Sequence, residues 1–295
     1  MTTDPPRQST SAPFVGADFP DAEFTAVCNL LMAKRAFDLG SYKDRCIKRR
    51  IASRVRARGC PTAAAYLELL QGDDDELDTL LSVLTIHVSH FFRNPSTFRV
   101  LEETVLPALI ERARQTPGHE LRIWSAGCSS GEEVYSLALL LHELPTAGLH
   151  LSLLGTDISP NILSVAEQGE FDAQRLSEVP EVVRTTYFER LEQTRFRLRD
   201  ELRDMVNFEW QNLLADEPYP ASDLVLCRNV LIYFSREEQS QIMARFAACL
   251  GPGGFLVLGR AETMVGSERH LFRSDYPVER IYRCLATPDG RQDAR

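Results

Sequence analysis

The chain has 295 residues, 44% apolar and 25% charged, with a formal net charge of −9; that length accommodates a catalytic domain and a smaller partner. No apolar run approaches the roughly 18 residues a membrane span needs, so no membrane insertion is expected. Seven scattered cysteines without a C-x-x-C pair argue for reduced thiols and against zinc, and the histidines offer no metal-ligand spacing beyond His87 and His90, three apart, so no metal is expected either.

Residues 1–18 are polar and rich in Pro and Ser, without the charged-then-apolar order of a signal peptide. They read as a disordered segment of a cytoplasmic protein. Periodicity and breakers then predict helices only, over Asp21 to Leu39, Lys43 to Arg58, Pro61 to Leu70 and Leu77 to Val88, and so a helical domain over 19–92. Its second helix carries the main charge asymmetry, because Tyr42 to Arg58 holds eight Lys or Arg against one Asp. At 100° per residue Arg45, Arg49 and Arg56 share a face away from Ile47, Ile51 and Val55. That face fits either a solvated helix surface or a dock for an acidic partner. An acidic body with one basic segment disfavours nucleic acid, whose enzymes spread positive charge more widely.

A helix from Pro95 to Gln115 leads through Thr116-Pro117-Gly118 into alternating elements. The β-rich runs are Leu121 to Ser125, Leu151 to Thr156, Met205 to Trp210, Asp223 to Cys227, Phe255 to Leu258 and Arg280 to Cys284. Helices between them include Glu132 to Leu144, Pro160 to Gln168 and Arg236 to Leu250. Apolar strands alternating with helices predict an α/β, Rossmann-like doubly wound sheet whose ligands sit at the strand carboxyl ends. Phe171 to Arg203 interrupts the alternation with a charged insertion in which Arg195 to Arg199 alternates like a strand.

After the first strand, Ser125-Ala126-Gly127-Cys128-Ser129-Ser130-Gly131-Glu132-Glu133 opens a helix. Small residues there permit a sharp turn and close approach of a ligand. The absence of G-x-G-x-x-G and of G-K-[ST] weakens dinucleotide and ATP readings. Two glutamates at the helix start suit either the helix dipole or a cationic ligand such as S-adenosylmethionine. Asp157, after the second strand, reads equally as a loop carboxylate or as an acceptor for ribose hydroxyls, with Ser159 and Pro160 as helix-start signals. The fourth run ends in Cys227-Arg228-Asn229-Val230-Leu231-Ile232-Tyr233-Phe234, which puts Arg228 and Asn229 where a substrate would lie, while Tyr233 reads either as a residue of the same crevice or as ordinary core. Phe91-Phe92-Arg93, further upstream, can wall a pocket and offer a guanidinium fork to a carboxylate, or simply pack between domains.

Taken in order, Phe91-Phe92-Arg93, Trp124 to Ser136, Thr156-Asp157-Ile158, Asn212-Leu213-Leu214 and Cys227 to Phe234 resemble the CheR-type chemotaxis receptor methyltransferases. The resemblance runs from about Phe24 to Cys284. It implies a class I S-adenosylmethionine-dependent methyltransferase domain over 93–286, with a small antiparallel β subdomain inserted near 171–203, an all-helical N-terminal domain and a tail at 287–295. The implied activity is methyl esterification of glutamates on the cytoplasmic methylation helices of chemotaxis receptors, with S-adenosylhomocysteine as the other product. By position, His87, Ser89, Arg93, Gly127, Glu133, Asp157, Asn212, Leu213, Cys227 and Arg228 are implied cofactor contacts. Arg93 and Tyr233 are implied at the transfer centre, and Arg45, Arg49 and Arg56 in receptor docking. The sequence departs from the family at His87 and Ser89, where Asn and Thr are common, and at Gly259-Arg260-Ala261-Glu262, where the family has Gly-His-Ser-Glu. The insertion is shorter around Glu192-Gln193-Thr194, which disfavours tethering through a receptor's C-terminal pentapeptide. These departures keep open a methyltransferase for another acidic protein, or a module that binds the cofactor without transferring from it.

Overall fold

The structure, a computed structural model, describes residues 19–35, 39, 44–84, 89–264 and 266–285. It divides into two compact units, Met1–Ile86 and His87–Arg295. The end segments of the expected first and fourth helices, 36–38 and 85–88, lie outside the described residues, as do residues 1–18, residues 286–295, His87 and the side chain of Arg45.

The first unit comprises α1 (Asp21–Arg35), α2 (Asp44–Ala57), α3 (Ala63–Gly72) and α4 (Asp74–Leu84). Ile47, Ile51 and Val55 are buried, as the periodicity of α2 requires. Thr62 caps α3 by accepting the Ala65 amide at 3.1 Å. The fourth helix begins at Asp74, three residues before the expected Leu77, because the acidic run forms its first turn and Asp73 accepts the Glu76 amide at 2.9 Å. Glu76 is buried and held by Arg54 at 2.7 and 2.6 Å, Tyr66 at 2.8 Å and Arg58 at 3.2 Å. Burial works against its charge, but the hydrogen bonds from Arg54 and Tyr66 win and hold the carboxyl below the usual range.

The second unit opens with α5 (Pro95–Val100) and α6 (Leu106–Gln115), joined without a break by a π turn over Leu101–Val105. The turn lies just before Pro107, whose missing N–H cannot complete an ordinary α-helical ladder. The sheet follows, with β1 (Glu120–Ala126), α7 (Glu132–Glu143), β2 (His150–Asp157) and α8 (Pro160–Gln168). An insertion comes next: β3 (Glu170–Asp172), α9 (Glu181–Tyr187), β4 (Phe188–Arg190), β5 (Arg195–Leu198) and α10 (Asp200–Arg203). The chain then returns through β6 (Val206–Trp210), β7 (Leu224–Cys227), α11 (Arg236–Leu250), β8 (Phe255–Leu258), β9 (Phe272–Tyr276) and β10 (Ile281–Cys284).

The main sheet has the order β6-β2-β1-β7-β8-β10-β9. Its first five strands are parallel, and β10 runs antiparallel to both neighbours. The order reverses between β1 and β7, so their carboxyl ends form the crevice where ligands of such sheets bind. β7 and β8 are buried along their whole length, as strands covered on both faces must be. The insertion forms a separate antiparallel sheet, β3-β5-β4. One strand of the main sheet escaped the sequence reading: β9 is an edge strand whose Arg273 and Asp275 form an ion-pair cluster with Arg283 of β10, so it carries no apolar alternation.

Candidate functional site

The loop after β1 is shaped by backbone conformation. Gly127, Ser129 and Gly131 have φ of 75°, 55° and 90°, and the amides of Gly127 and Cys128 both donate to the Thr156 carbonyl, at 2.8 and 2.9 Å. A Cβ on Gly127 would lie 2.4 Å from Val230 Cγ2, so no side chain fits. The loop is thereby clasped to the end of β2, where Asp157 is buried. One Asp157 oxygen accepts the Ser129 amide and the other the Ser159 amide, each at 3.0 Å. Beyond β6 the Gln211 amide donates to the Asp157 carbonyl at 3.1 Å. Ser129 Oγ and Gln211 Oε1 are buried without a hydrogen-bond partner, which marks a polar wall around Asp157 that a ligand can complete.

Glu132 and Glu133, adjacent at the start of α7, have different surroundings. Glu132 is fully buried, accepts from Ser130 Oγ at 2.9 and 2.8 Å, and pairs with Arg175 of the insertion at 3.2 Å. Burial pushes its carboxyl upward, against the pull of Arg175. Glu133 accepts Ser125 Oγ at 2.9 Å and Arg228 at 3.1 Å. The Arg228 side chain is buried as well. It reaches the Arg93 carbonyl at 2.6 Å and Asn94 Oδ1 at 2.7 Å, and lies over the Phe98 ring. Arg228 therefore ties the end of β7 to the segment that carries Arg93, instead of projecting into open space at the strand end. Its Nε has no partner.

The Ser89–Arg93 segment groups with the sheet-bearing unit, on the far side of the division from the helical domain with which its first residues were expected. Phe91 is a core residue, edge-on to Phe171 at 4.8 Å and to Phe188 at 5.3 Å, and does not wall a pocket. Arg175 holds the segment from below by donating to the Ser89 carbonyl and accepting the Phe91 amide. Asn212 turns the chain by accepting the Leu214 amide at 2.9 Å. The Leu213 carbonyl takes two donors, Tyr219 Oη and Arg245, both at 2.7 Å. Tyr233 ends a 3-10 turn, Leu231–Tyr233, after β7. Cys227 is fully buried, and burial drives both its thiol and that of Cys128 well above the ordinary range. Neither is a thiolate nucleophile at neutral pH. A cavity of about 340 Å³ lined by Tyr135, Glu167, Arg203 and Asp204 beside β6 touches none of the expected site residues. On α2, Arg49 and Arg56 are exposed while Arg54, and Arg58 just past the helix end, turn to Glu76.

Comparison with known proteins bears directly on this geometry. Residues 22–85 match the family described as CheR methyltransferase, all-alpha domain, and residues 87–277 match the CheR methyltransferase, SAM binding domain. The chain belongs to the CheR methyltransferase family. It is 38% identical over 259 residues to the chemotaxis protein methyltransferase of Listeria monocytogenes, covering 87% of this chain and 94% of that protein. It is 30% identical to the Borreliella burgdorferi protein of the same name, covering 83% and 89%, and 33% identical to that of Klebsiella aerogenes, covering 85% and 87%.

S-adenosylmethionine is the methyl donor of this CheR-family domain, and the residues fit it: the β1 loop has no phosphate cradle, while Asp157 and the two unpartnered buried groups beside it suit a nucleoside. Two features of the CheR site went unread in the sequence. Glu262 is buried and accepts backbone amides from two loops; its signal was the Glu that ends the Gly-x-x-Glu turn. Arg175 joins the insertion to the cofactor loop, and nothing local distinguishes it from the other arginines of the insertion.

Proposed function

We propose that this CheR-family enzyme methylates glutamate side chains on the cytoplasmic helices of chemotaxis receptors, forming methyl esters, and does so in the cytoplasm. The observation that carries the proposal is the set of groups at the strand carboxyl ends. It combines a nucleoside-type wall around Asp157 with buried thiols at Cys128 and Cys227 that are not thiolates, and it supports the assignment of Arg93 and Tyr233 to the transfer centre. The chemotaxis names of relatives that cover most of the chain support the same class of substrate.

S-adenosylmethionine, when bound, supplies a methyl group on a positively charged sulfur. The residues around it have the tasks of binding and aligning. Asp157 would accept ribose hydroxyls and the Asn212–Leu213 turn would help hold the adenosyl group, while Glu133 and Arg228 brace the loop after β1 against the Arg93 segment. A glutamate carboxylate has a pKa of about 4.3 and is already nucleophilic at neutral pH, so no general base is required. Arg93 and Tyr233 hold the reactants in line, a contribution on the order of 7 to 11 kcal/mol in well-aligned systems. The exposed Arg49 and Arg56, with Arg45 on the same face by periodicity, dock an acidic receptor helix.

The test is transfer of labelled methyl from S-adenosylmethionine to cytoplasmic receptor fragments from the same cell, followed by mild base. Base-labile label on a receptor is expected, and Arg93→Ala and Tyr233→Phe should each lower turnover at least tenfold. Cofactor binding with no transfer to any receptor would instead favour another acidic substrate or a binding-only module. Charge reversal of Arg49 and Arg56 to Glu should raise the receptor KM steeply and weaken the salt dependence of activity; unchanged kinetics would remove the docking role.

A further inference from the structure

We propose that Glu262 is a positioning residue for methyl transfer, fixing the turn that presents Tyr233. The inference rests on the role given to Tyr233 above. Glu262 is 4% exposed and closes the turn Gly259–Glu262 that follows β8. Its Oε2 accepts the Gly259 amide at 2.6 Å and the Asn229 amide at 2.8 Å, while Oε1 accepts the Ile232 amide at 3.3 Å. One carboxylate thus gathers amides from the loop after β8 and from the loop after β7. The β7 loop needs a clamp: Asn229 has φ of 63°, an uncommon conformation for a residue with a side chain, and Tyr233 follows on a single 3-10 turn closed by its own amide to the Val230 carbonyl.

The sheet does not depend on this clamp. β7 and β8 are already laddered from Leu224↔Phe255 to Cys227↔Leu258, and Glu262 acts where that ladder stops. The fit is close, since a Cβ on Gly259 would lie 2.7 Å from Glu262 Oε2 and 2.8 Å from the Asn229 nitrogen. At the other end of the same turn Arg260 donates to Ser96 Oγ at 2.6 Å, three residues beyond Arg93. The turn therefore braces the segments that carry both transfer-centre residues, through a buried carboxylate on one side and an exposed arginine on the other. Burial raises the Glu262 carboxyl while the backbone amides oppose the shift, as expected of a carboxylate whose solvation is supplied by N–H groups. A glutamine has a single acceptor oxygen, and its NH2 would face one of these amides.

The experiment uses the full chain carrying Glu262→Gln, Tyr233→Phe and both together. It measures methyl transfer to a receptor fragment, S-adenosylhomocysteine affinity by calorimetry, and amide hydrogen exchange over 228–234. In Glu262→Gln, kcat should fall roughly 10- to 100-fold, the scale of a misplacement near 1 Å. Affinity should stay within about threefold, and exchange at Asn229 and Ile232 should accelerate. Adding Glu262→Gln to Tyr233→Phe should cost little more, because both act through one group. Additive losses, unchanged kcat, or a loss confined to affinity would overturn the positioning role. A Tyr233→Phe variant with normal kcat would instead remove the assignment of Tyr233 itself. Glu262→Asp keeps the carboxylate but withdraws it by one methylene, and it carries the same cycle if the glutamine variant does not fold; wild-type turnover and exchange in the Asp variant would also count against the proposal.

Discussion

The two ends of the parallel strands each hold a carboxylate paired with arginine, yet they are finished differently. At the amino end, Asp223 precedes β7 and accepts the Arg122 amide at 3.0 Å, Arg122 Nε at 3.3 Å and Arg112 at 2.6 Å. Burial alone would raise its carboxyl, but the Arg122 and Arg112 hydrogen bonds hold it below the usual carboxylate range. None of those polar atoms is left over. At the carboxyl end, Glu133 pairs with Arg228 and Asp157 accepts two amides, but Ser129 Oγ, Gln211 Oε1 and Arg228 Nε remain buried and unpartnered. Each such group costs on the order of 1 to 3 kcal/mol. Buried groups of this kind also occur away from the strand ends, at Arg197 and Arg203 of the insertion, so neither charge pairing nor an unpartnered atom alone marks a site; what distinguishes this end is that two of them, Ser129 Oγ and Gln211 Oε1, flank one buried carboxylate, Asp157.

The largest effect should come at the unfinished end. Asp157→Asn keeps the shape but turns an NH2 toward the amide of Ser129 or Ser159. It should weaken S-adenosylhomocysteine about 100-fold, on the order of 3 kcal/mol, more than the roughly 1 kcal/mol of stability lost with one amide contact. Calorimetry showing unchanged affinity would break the comparison. Asp223→Asn should do the converse, lowering stability by about 2 kcal/mol while leaving the affinity of the folded protein intact. That figure sits below the cost of breaking a fully buried pair because the Arg112 and Arg122 side chains are 35% and 39% exposed and screened by solvent. The acid limb sharpens the point. Asp223 has its folded pKa depressed below 3.8, so its contribution is fully present above that value and is lost as pH falls through the folded pKa. Denaturant unfolding over that window should show a flatter slope in Asp223→Asn than in the wild type. An equal slope in the two would mean another carboxylate sets the acid limb.

Much of this asymmetry was legible before the structure, though unevenly. Strands β1, β2, β7 and β8 announce themselves as apolar runs because both faces are buried, and the small residues of Gly127 to Gly131 signal a loop that approaches a ligand. Edge strand β9 was invisible because ion pairs hold its outer face, and the start of α4 was hidden because acids that look like a turn also suit a helix N-terminus. In the site, the sequence gives residue types but not the direction of their side chains. Arg228 was expected to face substrate and instead bonds the Arg93 carbonyl, 135 positions away in the chain. Glu132 was a candidate for a cationic ligand and instead meets Arg175. Both partners are set by tertiary packing across the insertion and the Ser89–Asn94 segment, and no local pattern encodes such distances.

The smallest expected effect is the most discriminating about where the site stops. Ser235 lies two residues after Tyr233, at the carboxyl end, but its bonds are complete: it caps α11 through a reciprocal box in which Ser235 Oγ accepts the Glu238 amide at 3.3 Å and Glu238 Oε2 accepts the Ser235 amide at 2.8 Å. Ser235→Ala should therefore behave like a residue of the amino end, losing about 1 kcal/mol of stability with kcat and cofactor affinity within twofold of wild type. Thermal unfolding and steady-state kinetics on the same preparation decide it. A tenfold fall in kcat would show that the turn bearing Tyr233 takes its position from the helix behind it as well as from Glu262. The boundary between binding end and structural end would then follow distance along the chain rather than the presence of unpartnered polar groups.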